Sequence, residues 1–527
     1  YTQNENDGGE QYWVATSATY QVGQNSFEVP LISAQGGGFG AVSGQAAETI
    51  GQCTLTFNSC GSVDFDYDIT GGPALGSGSV ELIPLIPNDE CVYQADFAAS
   101  ACPSGTSDAG GGICVLQGTL SNDVTLTNDR IYQLNGGVFV GDDLGGAAGP
   151  AEGDGVTLEI EAGTVVVGAT GQDFLVVSRG SQIQAYGTEF APVVMTSAQA
   201  FVDITSGTSA QWGGLVINGR APINSGTPCA GVSDCLEAQG EGGSGLYGGV
   251  DPTDSSGVLN YLRVEFAGNL ISDLDELNGI AFQGVGNGTL VDYVQVHANA
   301  DDGVEFFGGT VNAKHLVLTN IGDDSIDWTQ GWTGNVQYAL VQQGPESDRG
   351  IEADNNSDDN DALPRSAPKL ANLTIQGGGG ATDHGILLRE GTAANITHSI
   401  VVDAPDGRND SCLDIDQDAT FANATANPET FTLTGLFLDC ADPFEGTEDD
   451  GPNEFSVADF FAAGAFNAQL DITFDSANGV ALDGDSPLLQ APDVPRSIFG
   501  EFFDNPGFAG AIGGRDWTQN WTSYIKR

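Results

Sequence analysis

Basic residues are scarce in this chain. Lys and Arg total 14 against 72 Asp and Glu in 527 residues, a formal net charge of −58. Nucleic acids and anionic membrane surfaces need basic patches, so neither is an expected partner. No apolar run reaches the roughly 18 residues of a membrane-spanning helix. The sequence has no CxxC spacing, no EF-hand or Ca²⁺-binding nonapeptide, no Gly-rich phosphate loop and no Ser-His-Asp constellation. Methionine occurs once and histidine four times, at His297, His315, His384 and His398.

What is present reads as an all-β protein. Only 16% of residues are charged and 40% are hydrophobic, unlike a disordered acidic tail. The 76 glycines accompany many Val, Ile, Thr and Phe, a composition of short strands and tight turns. Nine cysteines, with Cys53/Cys60 and Cys229/Cys235 bracketing short loops, favour disulfides over zinc. Cys412 and Cys440 join these as disulfide candidates, one cysteine is left over, and the setting is oxidising and extracytoplasmic. The chain opens Tyr1-Thr2-Gln3-Asn4, which is not a translation start and reads as a processed product. The acidic balance fits a saline exterior and plain solubility equally.

Three regions are expected. Residues 1–114 alternate apolar and polar, as in Val63-Asp64-Phe65-Asp66-Tyr67, and read as a disulfide-bearing β domain such as a sandwich. Tyr1–Val29 could add as a strand to a neighbouring subunit or dock on its own domain. Residues 115–440 carry two interleaved strand series. One includes Tyr261-Leu262-Arg263-Val264, Tyr293-Val294-Gln295-Val296 and His315-Leu316-Val317-Leu318. The other places Val304, Ile326, Ile351, Ile386 and Leu413 at equivalent inward positions. This spacing predicts a parallel β-helix, a solenoid of stacked coils. A leucine-rich solenoid would need regular Leu spacing and helices, and neither is present. Residues 441–527 read as a C-terminal cap. It has a short helix N-capped by Ser456 and an aromatic tail from Asp516-Trp517 to Trp521-Thr522 that plugs the end coil.

Four segments carry a resemblance. They are Leu158-Glu159-Ile160-Glu161-Ala162-Gly163-Thr164, Trp212-Gly213-Gly214-Leu215-Val216-Ile217-Asn218-Gly219, Ser255 to Gly268, and Asp301 to Trp332. Over roughly 120–525 the chain resembles secreted bacterial right-handed parallel β-helix surface proteins and lipoproteins. The resemblance implies fold and an extracellular or outer-surface location. It transfers no activity residue by residue.

The richest chemistry lies in three successive coils: Asp301-Asp302-Gly303-Val304-Glu305, Asp323-Asp324-Ser325-Ile326-Asp327 and Asp348-Arg349-Gly350-Ile351-Glu352. With Val304, Ile326 and Ile351 inward, Glu305, Asp327 and Glu352 share an outward column. Two carboxylates ~5 Å apart repel by roughly 3 kcal/mol at an effective dielectric of 20. A bridging cation relieves that, and all-oxygen ligands favour Ca²⁺. The expected ligands are Asp302, Glu305, Asp324, Asp327, Asp348, Glu352 and Asp354. Turn-forming acids on a solvated face explain the same residues without a metal.

The leading functional expectation is a secreted structural protein that self-assembles into a surface layer, filament or matrix and is stiffened by Ca²⁺. Two alternatives use the same face: a Ca²⁺-dependent polysaccharide lyase or hydrolase, and a glycan-binding adhesin. No catalytic residue is assigned. Polyuronate lyases of this fold use Arg or Lys as the base, which would select Arg349, Arg389 or Lys314, with His384 as a further acid/base group. Trp328 and Trp332 could stack on sugars, although coil-end plugs are the favoured role.

Overall fold

The computed structural model describes residues 12–15, 26–35, 48–59, 62–71, 76–82, 101–150, 153–272, 275–378, 384–403, 411–427, 429–444, 455–475 and 479–525. The chain forms two compact units, Tyr1–Ser100 and Ala101–Arg527. The first contains a five-stranded antiparallel sheet in sequential order: Tyr12–Ala15, Ser26–Gln35, Glu48–Ser59, Ser62–Ile69 and Gly76–Leu82. The lead strand Tyr12–Ala15 pairs with Ser26–Gln35 of its own chain, so that part docks at home. The expected Cys53–Cys60 bridge involves Cys60, which lies outside the described residues.

The second unit is a parallel β-helix. It begins earlier than residue 115, because Ser107–Gly110 and Ile113–Leu120 already belong to the large sheet. A Cys102–Cys114 bridge ties this first turn together. Cys229–Cys235 and Cys412–Cys440 are also bridged. Parallel pairing then runs coil to coil as far as Ala468–Gln469, beyond the expected limit at 440. Among the described residues, no helix is long and apolar enough to cross a membrane.

The core follows from alternation. Leu215, Ile280, Val304, Ile326, Ile351, Ile386 and Leu413 stand opposite one another in consecutive coils. Each is almost completely buried, which makes the ladder the main hydrophobic store of the fold. Trp328 and Trp332 correct the sequence expectation. Both are fully buried in the middle of the solenoid, and Trp332 stacks on Phe306 at 4.0 Å. Neither is a sugar platform or an end plug.

Each coil bends where one residue adopts the left-handed conformation. Tyr261, Tyr293, His315, Tyr338, Asn372, His398 and Gly435 occupy this bend in successive coils, with φ between 48° and 63°. Non-glycine residues pay strain there. Stacking offsets part of it: ring centroids are 4.4 Å apart for Tyr261–Tyr293, 4.2 Å for Tyr293–His315 and 4.9 Å for His315–Tyr338.

The tail does not simply cover the end coil. Phe421, Phe431, Phe455, Phe460 and Phe461 gather at that end, with Ser456 capping the short helix Val457–Ala463. Residues 479–525 then run back along the side of the solenoid. Outward Val317, Leu340 and Ile400 would otherwise face water, and the tail covers them with Ile512, Trp521 and Leu488. Side-chain amides pin it: Gln295 to Ser523, Gln337 to Asp504 and Asn372 to Phe508.

Candidate metal centre

One outward column explains where the acids lie. Val176, Val216 and Ala281 occupy successive rungs, and the same position continues as Glu305, Asp327, Glu352 and Leu387. The apolar half of this face is covered by two insertions. One is a three-stranded antiparallel piece built from Thr227–Pro228, Leu236–Gln239 and Leu246–Tyr247. The other is a hairpin of Asn269–Ser272 with Asp275–Leu277. Tyr247 and Leu277 pack with Val176, Val216, Ala281 and Phe307. The neighbouring acids are less evenly covered: Asp301, Asp323, Asp327 and Asp348 are half-buried. Asp302, Glu305, Asp324 and Glu352 are all at most 8% exposed.

Three groups of carboxylates have oxygens within 4.8 Å of one another: Asp302/Glu305/Asp327, Asp323/Asp324/Asp348 and Asp301/Asp302/Asp323. At that separation each charged pair costs about 3.5 kcal/mol at an effective dielectric of 20. Burial, followed by the charge of neighbouring acids, holds Asp302, Glu305, Asp324 and Asp327 well above the usual carboxylate range. Asp301 is pushed up to about 8 by burial and then by a hydrogen bond with Glu276 from the hairpin. Burial lifts Glu352 to about 7, against the opposing pull of Arg389 and Arg349.

Neutralisation is partial and one-sided. Arg349 pairs with Asp348, meets Glu352 at 2.8 Å and stands 3.9 Å from Asp324. Arg389 contacts Glu352 and binds Asp354 at 3.0 Å. Glu305 accepts only an amide hydrogen bond, from Asn278 Nδ2 at 2.6 Å, among the contacts described for it. Asp302 Oδ1 accepts from the Asp324 N–H at 3.1 Å. Asp324 Oδ1 and Asp327 Oδ1 are buried with no hydrogen-bond partner. A buried carboxylate oxygen without a donor is costly, and a hard cation is the ligand that suits it. The donors here are all carboxylate oxygens, the ligand type of a hard divalent cation.

The structure brings together Asp302, Glu305, Asp324, Asp327, Asp348, Glu352 and Asp354. It adds Asp301 and Asp323, whose side chains turn into the same cluster. The charges of Glu241 and Glu276 also act on Asp301. No sequence signal marks these two, because they arrive on insertions. Of the catalytic candidates, Arg349 and Arg389 sit in the cluster. His384 follows Arg349 in register and contacts Ser411 Oγ at 3.2 Å. Lys314 lies elsewhere, paired with Asp504 of the tail at 2.8 Å.

The family model of a pectate-lyase-like β-helix domain matches residues 118–522. No curated protein and no solved structure matches the chain. The repeating parallel coils, the inward aliphatic ladder and this match over most of the sequence agree: the chain belongs to the pectate-lyase-like β-helix domain family.

Proposed function

We propose that the protein is an extracytoplasmic structural β-helix that self-assembles at a cell surface and is braced by Ca²⁺ at the acidic cluster. The observation that carries this reading is the burial at the centre of the acidic face. Asp302, Glu305, Asp324 and Glu352 are buried, Asp301, Asp323, Asp327 and Asp348 are half-buried, and two insertions pack over the apolar half of the same face. A rigid solenoid with an internal cation store suits a mechanical role, while a polysaccharide needs an exposed cleft.

The arginines point the same way. Burial disfavours the charge of Arg349, but Glu352, Asp324 and Asp348 outweigh it and hold the guanidinium more firmly protonated than usual. Arg389 is held protonated in the same manner by Asp354 and Glu352. Neither is suited to act as a base. Family membership keeps a polysaccharide lyase as the second reading.

Negative-stain electron microscopy with millimolar Ca²⁺ and with a chelator tests the proposal, alongside an absorbance assay for unsaturated uronates. Ordered sheets or filaments in Ca²⁺ and no product are expected. Dispersed particles in both conditions, with product formed, would replace this reading by the lyase.

A further inference from the structure

The acidic cluster contains two triads with no member in common. Asp302, Glu305 and Asp327 form one, and Asp323, Asp324 and Asp348 form the other. Each keeps one buried oxygen with no partner: Asp327 Oδ1 in the first and Asp324 Oδ1 in the second. Asp324 as a whole is 4% exposed, so water does not satisfy it freely.

The two triads differ in counter-charge. Arg349 serves the second directly, through Asp348 and, at 3.9 Å, Asp324. In the first triad the described contacts of Glu305 and Asp302 are amide donors, from Asn278 and from the Asp324 backbone, and the charge of Arg389 acts on Asp327. A resident guanidinium competes with an incoming cation for the same oxygens.

We propose that this cluster holds two divalent cations in unequal sites, a tight one at Asp302/Glu305/Asp327 and a weaker one at Asp323/Asp324/Asp348. The weaker site is set by Arg349, which acts as a built-in competitor. The assignment rests on the cation reading above and specifies its stoichiometry and order of filling. Asp301, converging with both Asp302 and Asp323, joins the two sites into one cluster.

Calorimetric titration of the full, chelator-stripped chain with Ca²⁺ tests this, with bound metal counted by elemental analysis. Two ions per chain are expected, in two steps separated by at least about tenfold in affinity. Asp327→Asn should remove the tight step and leave the weak one. Asp324→Asn should do the reverse. Arg349→Met should tighten the weak step by about tenfold or more and leave the tight one in place. Far-ultraviolet circular dichroism without metal confirms that each variant is folded, and isosteric Asp→Asn changes relieve repulsion rather than open a cavity. A single ion lost in both Asp variants would overturn the two-site assignment while leaving a cation brace standing. An Arg349→Met protein with weakened second-step binding would overturn the competitor role. No bound ion at all would overturn both the assignment and the brace, whereas self-assembly is judged separately by microscopy.

Discussion

Raising the pH should destabilise the metal-free protein across the range in which most proteins are steady. Asp301 and Glu352 are held up to about 8 and about 7 in the fold, from ordinary values of 3.8 and 4.5. The folded state therefore keeps protons that the unfolded chain releases. Unfolding releases protons, so higher pH favours it. This contribution is fully present below the ordinary carboxylate pKa and is lost as the pH climbs through the raised values. Every tenfold gain in a carboxyl's hold on its proton is worth ~1.4 kcal/mol, which makes the loss for Asp301 on the order of 4 kcal/mol between about pH 5 and about pH 8. For a unit this large, that corresponds to a fall in Tm of roughly 4–5 °C. Saturating Ca²⁺ should abolish the fall, because a bound cation favours the ionised carboxylates. The assay is differential scanning calorimetry of chelator-stripped protein across that pH range, with and without millimolar Ca²⁺. A Tm that rises with pH in the stripped protein would refute the reasoning, since it would mean that the cluster is ionised and satisfied without metal.

Two further perturbations probe the scaffold. Trp521→Ala should cost about 3–5 kcal/mol, because the indole is 1% exposed and packs edge-on against Tyr261 and Tyr293 at 5.7 and 5.9 Å; faster proteolytic trimming of the C-terminal tail should accompany it, and unchanged trimming would show that the tail is held elsewhere. Gly257→Ala should cost a few kcal/mol, because φ is +113° and a Cβ would stand 1.9 Å from the Ile183 carbonyl oxygen; a thermal melt unchanged from the parent would contradict the close coil-to-coil approach.

Much of the solenoid was legible because its signals are local. Alternation places Val304, Ile326 and Ile351 inward, and therefore places Glu305, Asp327 and Glu352, one residue further on, in one outward column. Pairing in the structure aligns those residues rung for rung. Other features were not legible. Trp328 and Trp332 were expected as coil-end plugs or, less favoured, as sugar platforms, and both lie in the core. Trp328 sits two residues past inward Ile326 and shares its face, whereas Trp332 follows the strand Ile326–Thr329, where alternation no longer operates. The boundary near residue 115 was late because Ser107–Gly110 is exposed and carries no apolar period of its own.

The sequence alone determined the repeating coil, the inward ladder and the column of acids, since each depends on a spacing of two residues or one coil. Tertiary structure decided whether that column faces water. Glu241 and Glu276 reach it on insertions far from it in the chain, and the tail returns along the solenoid to cover Val317 and Leu340. Burial depends on which distant segment lies on a face. That choice turned a row of surface carboxylates into a partly buried cluster with raised pKa values and two buried oxygens without donors.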